Sequence, residues 1–180
     1  MSRLQEKFNT EVVPKICESF GIKNKMAAPK LNKICLNIGM GQAKNEAKRF
    51  ESAQTVLGKI TGQKPVVIKA RMSVSNFKLR EGDAVGTRVT LRGERMYNFL
   101  DRFMSLAMPR IRDFNGYSRK SFDKAGNFSL GVAEQSIFPE LSIADVDQEF
   151  GMDITLVFEN SNAEKSLATM EAIGFPFRKK

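Results

Sequence analysis

Histidine is absent from the 180 residues, and cysteine occurs only at Cys17 and Cys35. Without imidazole, Ser-His and Cys-His nucleophile systems are excluded. Two cysteines alone also lack the ligand set and spacing of a zinc site. They read instead as free, buried thiols of a protein kept in a reducing compartment. Long apolar runs are missing as well. Nothing approaches the roughly twenty residues that span a bilayer, and the opening MSRLQEKFNTEVVPK has no apolar centre of signal-peptide length. The expectation is a cytosolic, unprocessed protein with no membrane partner. The glycine-lysine signature of a P-loop does not occur either.

What the chain has in excess is positive charge. Lysine and arginine number 29 against 20 acidic residues, a net charge of +9, and such an excess points to a polyanionic partner. It is unevenly placed. Residues 1–60 carry 11 basic and 5 acidic side chains, residues 61–125 carry 14 and 6, and residues 126–177 carry 1 and 9. The chain reads as a single domain over 1–180, with a basic, polyanion-facing part over 1–125 and an acidic part over 126–177. The acidic part is either a site for a basic partner or an ordinary solvated surface.

The stretch KICLNIGMGQAKNEAKR, residues 33–49, resembles the opening of a dinucleotide-binding fold. A true fingerprint needs a third glycine where Lys44 stands, and an acidic residue about twenty positions further on. No acidic residue lies between Glu51 and Glu81. The strand pattern is the stronger objection, because Ile34, Leu36 and Ile38 alternate with Lys33, Cys35 and Asn37, whereas the first strand of a doubly wound sheet is apolar on both faces. One face is core and the other polar. Gly39 and Gly41 then serve a turn from strand to helix, at a place where a phosphate can approach backbone amides, or a plain tight connection.

Along the chain, Leu4, Phe8, Val12 and Ile16 predict a helix over 3–20 that stops at Gly21. A strand at 31–38 is followed by a helix over about 45–60, closed by Gly62. A short strand covers 65–69. The next predicted feature is a hairpin, with arms at 77–80 and 85–92 joined across Glu81-Gly82-Asp83. In its second arm Val85, Val89 and Leu91 face inward, which sends Arg88, Thr90 and Arg92 outward. A helix over 94–108, strands near 127–133 and 152–159, and a last helix opened by the capping-box pair Ser161 and Glu164 complete the order. The fold class is α+β: a mostly antiparallel sheet with helices packed on one face and the other face open.

That open face carries the functional reading. Lys33, Asn37, Arg88, Thr90 and Arg92 combine cations for phosphates with short amide and hydroxyl groups for sugars and base edges. A broad, shallow surface of this kind suits the minor groove of an RNA helix, where 2′-hydroxyls are exposed. The segment around Phe77, with Arg71, Lys78 and Arg80, forms either a basic arm for a second RNA or plain hairpin. Arg110, Arg112, Arg119 and Lys120 alternate with Phe114, Tyr117 and Phe122, which either stack on bases or pin the loop to the core. The rival from another class is a cytosolic metal-dependent phosphotransfer enzyme using acidic pairs such as Asp145 and Asp147. A regulator that binds its own messenger shares the RNA surface.

Five stretches, LNIGMGQA, GQKPVVIKARMSVSNFKLREGDAVGTRVTLRGERM, PRIRDFNG, SFDKAGNFSLGVAEQSIFPE and the ending GFPFRK, closely resemble in sequence and order the universal L-five family of large-subunit ribosomal proteins. The resemblance covers essentially the whole chain. It implies a non-enzymatic, cofactor-free constituent of the central protuberance, a monomer within the cytoplasmic ribosome, whose sheet packs on 5S rRNA. It implies RNA contacts at Asn37, Gln63 and Thr90, of which Gln63 is not reached by strand alternation, and with Lys33, Lys64, Arg88 and Arg92 these make the expected rRNA-binding set. It also implies a loop that reaches P-site tRNA, formed by Met72, Ser73, Val74, Ser75, Asn76, Phe77, Lys78 and Arg80. The region of Arg110, Arg112, Asp113 and Phe114 is expected to face a small-subunit head ribosomal protein, and contacts with large-subunit rRNA are expected too. The acidic stretch at 140–153 has no derivable role.

Overall fold

The computed structural model of the chain describes residues 2–41, 47–142 and 149–178. Its α-helices are α1 (Arg3–Lys7), α2 (Val13–Phe20), α3 (Ala47–Thr61), α4 (Gly93–Arg102) and α5 (Ala163–Ile173), and its strands are β1 (Lys30–Gly39), β2 (Val66–Lys69), β3 (Ala84–Leu91), β4 (Phe128–Val132) and β5 (Met152–Glu159). The strands form one antiparallel sheet in the order β2-β3-β1-β5-β4. This is the α+β class that the alternating strands predict.

Leu4, Phe8, Val12 and Ile16 recur at every fourth residue and are all buried. An α-helix turns once in about 3.6 residues, so a fourfold spacing drifts around its surface. A π-helical turn, Phe8–Val12, sits between α1 and α2 and offsets the drift, because its wider turn brings the stripe back to one side. Gly21 ends α2 at φ 63°, and the Ile22 amide donates back to the Cys17 carbonyl at 2.9 Å, as in other glycine helix stops. The same device recurs beyond α4. Phe99, Phe103 and Ala107 keep a fourfold stripe across a second π turn, Phe103–Ala107.

The chain divides into two compact units, residues 1–34, 91–130 and 154–180 in one and residues 35–90 and 131–153 in the other. The first has an aromatic centre. Phe128, wholly buried, has the rings of Phe122, Phe175, Phe177 and Tyr117 at 4.7, 5.4, 5.7 and 6.4 Å, and Phe114 meets Tyr117 edge-on at 5.3 Å. Tyr117 and Phe122 therefore pin the loop to the core and are not free stacking platforms. The carboxyl-terminal segment closes this cluster, with the Tyr117 amide donating to the Pro176 carbonyl at 3.1 Å and the Arg178 amide donating to the Tyr117 carbonyl at 2.9 Å. In the second unit, Leu36 and Ile38 of β1 are buried together with Phe50, Ala53, Val56, Leu57 and Ile60 of α3.

Three local expectations are corrected. Residues 77–80 are not a strand arm: β3 pairs with β2, in the register Val66 with Arg88 and Ile68 with Gly86. The β-branched Val-Val-Ile run supplies the better strand, whereas Lys78 adopts a left-handed φ of 50° that no regular strand permits. The cap of α5 is Asn162, whose side-chain oxygen accepts from the Lys165 amide at 2.9 Å, and Ser161 instead meets the Ser166 hydroxyl at 2.7 Å. Cys17 and Cys35 are free but half-buried, not buried.

Burial pushes the Tyr117 phenol up from 10.0 to about 12. The phenol is thus favoured in the folded state, and its contribution to stability is complete below pH 10 and lost between pH 10 and about 12. Urea midpoints measured across that window should fall less steeply for Tyr117→Phe than for the parent chain. A parallel fall in the two proteins would show that Tyr117 is not the titrating group.

Candidate nucleic-acid interface

Strand alternation is realised residue by residue in the second unit. Leu36 and Ile38 are wholly buried, while Cys35 and Asn37 between them are half-exposed. On β3, Thr87 and Val89 are buried, whereas Arg88 is exposed and Thr90 half-exposed. The two strands approach closely at Gly86, where an added Cβ would lie 2.8 Å from the Ile38 carbonyl oxygen. Only glycine leaves room for that approach. The Met40 amide donates to the Val85 carbonyl at 2.9 Å and extends the pairing past the end of β1. On the outward side, Cys35 Sγ and Thr90 Oγ1 lie 3.8 Å apart.

Gln63 reaches this surface from a different element. At the end of α3, Gly62 takes φ 65° and turns the chain, and the Gln63 side chain then donates from Nε2 to the Thr90 carbonyl at 3.4 Å. A carbonyl partner demands the nitrogen end of the amide, so the orientation of the group follows from its chemistry. Asn37, Gln63 and Thr90 therefore belong to one unit and are all half-exposed, with Lys64 and Arg88 exposed in the same unit. Lys33, half-exposed, and Arg92, exposed, fall in the other unit. Sequence reasoning missed Thr61, whose buried hydroxyl lies within 3.3 Å of both the Gln63 amide and the Gln63 carbonyl. The helix that periodicity predicts, over about 45–60, stops short of Thr61.

The cations of this set are not used internally. Among the described residues, none of Lys33, Lys64, Arg88 and Arg92 forms an ion pair. Elsewhere in the chain Arg3 pairs with Asp101 at 2.8 Å and Arg119 with Glu171 at 3.0 Å. A cation without an ion pair keeps its charge available to phosphates.

The 72–80 segment forms a closed loop. The Val74 and Leu79 backbones exchange hydrogen bonds at 2.9 and 3.0 Å, the Arg80 amide donates to Asp83 Oδ2 at 2.8 Å, and the Glu81 amide donates to Ser73 Oγ at 2.9 Å. Met72 and Phe77 project from it, 72% and 74% exposed. Arg110 is exposed, and Arg112 and Asp113, 95% and 91% exposed, make only a 3.9 Å contact with each other. Neither Gly39 nor Gly41 adopts a left-handed φ, and the continuation of that turn over 42–46 lies outside the described residues, as do Asp145 and Asp147. Among the described residues there is no cluster of three or more potential metal ligands and no helix long and apolar enough to cross a membrane.

Family models match nearly the whole chain: residues 24–80 match Ribosomal protein L5, and residues 84–177 match the C-terminus of the same ribosomal family. The chain belongs to the ribosomal protein L5 family. Large ribosomal subunit protein uL5 of Caldanaerobacter subterraneus subsp. tengcongensis is 51% identical over 179 residues, covering 99% of this chain and 100% of that protein. The proteins of the same name from Streptococcus pyogenes and Streptococcus thermophilus are 50% and 49% identical over 178 residues, with 99% of both chains covered. Membership of a ribosomal protein family bears out the expectation of a non-enzymatic chain, and the phosphotransfer reading is set aside.

Adjacent residues of β3 should respond to substitution with opposite signs. Gly86→Ala pushes a methyl group onto backbone and should destabilise by about 2 kcal/mol. Thr87 is wholly buried, and its hydroxyl has no hydrogen-bond partner among the described residues, so isosteric Thr87→Val should stabilise by about 1 kcal/mol. Chemical denaturation of both variants checks the pair.

Proposed function

We propose that this chain is a structural constituent of the large ribosomal subunit in the cytoplasm, and that it binds 5S rRNA through the outward residues of β1 and β3 together with Gln63. The reading is carried by the coincidence of two features: half-exposed amide and hydroxyl groups set on paired strands, and basic side chains that no carboxylate among the described residues neutralises. The cations supply salt-dependent attraction to phosphates. Asn37, Gln63 and Thr90 supply directional hydrogen bonds to 2′-hydroxyls and base edges, and these fix the register of the RNA.

On the same reading the 72–80 loop reaches P-site tRNA. Its exposed Met72 and Phe77 offer apolar and stacking contacts beside Lys78 and Arg80. The turn at Arg110, Arg112, Asp113 and Phe114 faces a small-subunit head ribosomal protein. Phe114 anchors that turn on Tyr117, while the mutually paired side chains of Arg112 and Asp113 are almost fully exposed to a partner. The chain acts as a monomer within the ribosome, with large-subunit rRNA as a further contact.

Titration of labelled 5S rRNA, against a control RNA of equal length and across a salt series, tests the central claim. Asn37→Ala or Thr90→Val should each weaken 5S rRNA binding by about 1–3 kcal/mol and leave the control nearly unchanged. Arg88→Gln should weaken both RNAs and lower the salt slope by about one. Equal affinity of the parent chain for the two RNAs would refute the assignment.

A further inference from the structure

Thr61 is the last residue of α3 and is buried, with a relative exposure of 5%. Its hydroxyl donates to the Leu57 carbonyl at 2.6 Å and accepts from the Gln63 amide at 3.3 Å. The Gln63 carbonyl is a second acceptor within 3.2 Å, but the single hydroxyl proton goes to the nearer oxygen. One oxygen therefore bridges the final turn of the helix and the residue two positions beyond it. Gly62 between them completes the turn, with its amide donating to the Gly58 carbonyl at 2.8 Å.

We propose that Thr61 is a positioning residue of the RNA-binding surface, whose hydroxyl holds the Gln63 backbone where the Gln63 side-chain amide reaches the Thr90 carbonyl. This rests on the reading of Gln63 as an RNA contact. The bond from Gln63 Nε2 to Thr90 is long, at 3.4 Å, and a flexible glutamine side chain is not ordered by so weak a link alone. A fixed backbone shortens the search. With Nε2 directed to Thr90, Oε1 is left as an acceptor without a protein partner among the described residues, suited to a donor such as a ribose 2′-hydroxyl and not to a bare phosphate oxygen. Loss of the Thr61 hydroxyl frees Gln63 to sample other rotamers, and the specific part of the affinity falls while the phosphate-driven part stays.

A double-mutant cycle on the full-length chain separates this role from general support of the fold. Thr61→Val keeps the shape and removes the hydroxyl, and Thr61→Ser keeps the hydroxyl. Thr61→Val should weaken 5S rRNA binding about fivefold and leave the control RNA unchanged, and Thr61→Ser should restore binding to within about twofold of the parent chain. In a Gln63→Ala background, Thr61→Val should have almost no further effect on RNA affinity. An equal loss with and without the Gln63 side chain, or no loss at all, overturns the positioning role. If Gln63→Ala alone leaves 5S rRNA affinity unchanged, the contact assigned to Gln63 is itself wrong, and the role of Thr61 falls with it. Nuclear magnetic resonance of the free protein gives a second readout through the Gln63 side-chain amide: its resonances should move in Thr61→Val and return in Thr61→Ser. Resonances that stay in place overturn the proposal, and so does a Thr61→Val chain that fails to fold, since the hydroxyl would then support the whole unit and not Gln63 in particular.

Discussion

Where β1 passes β3, the Ile38 carbonyl lies so near Gly86 that no side chain fits between them, and this approach fixes which residues of both strands look outward. Side chains alternate with a period of two, so a slip of one residue in either strand would bury Asn37 or Thr90 and expose Ile38 or Val89. The buried side resists that slip. Leu36, Ile38 and Val89 are each no more than 2% exposed, and turning them to water would forfeit roughly 1.5–3 kcal/mol apiece. The core thus specifies the polar surface without touching it. Cys35 and Thr90, 3.8 Å apart across the strands, are one visible result.

Charge follows a different logic from register. Acidic residues are plentiful over 126–177, and where they meet cations they pair with them, as Glu159 does with Lys30 at 3.7 Å and Glu171 with Arg119. Exposed pairs of this kind add little to stability. Their absence at Lys64 and Arg88 matters more, because a paired cation gives up part of its attraction for a phosphate while a free one keeps it. Uniform attraction of this type does not distinguish one RNA from another. Discrimination on the proposed reading falls to the three neutral side chains, whose directional bonds are lost when the wrong group is opposite.

The regular elements are legible in the sequence because their burial patterns are local. Leu4 to Ile16, Ile34 to Ile38 and Val85 to Leu91 each announce a face within a dozen residues, and Asn37, Arg88 and Thr90 follow from alternation alone. The partner of β3 is not legible in the same way. Pairing is a long-range choice, and the four-residue alternation at 77–80 looks as strand-like as Val66–Lys69 until Lys78 is seen at a left-handed φ. The π turns are hidden too, although the fourfold spacing of Leu4, Phe8, Val12 and Ile16 is the trace they leave. Gln63 obeys no period, since it lies beyond a helix stop, and only family resemblance singles it out. Thr61 gives no signal, because its hydroxyl matters only once Gly62 has folded the chain back.

The surface is therefore assembled from parts with different origins. Asn37 and Thr90 are placed by sheet pairing, and Gln63 by the end of a helix whose inward stripe, with Val56, Leu57 and Ile60, is buried. A strand residue is in place whenever the sheet is, whereas Gln63 is in place only when α3 has also finished its last turn. An RNA that engages all three binds the fully folded unit more tightly than any state in which α3 is frayed, and by linkage it must stabilise that unit against fraying. Binding and the completion of the helix end are then one equilibrium seen from two sides. A hydroxyl buried at that junction, and not one exposed on the strands, is where the two processes meet.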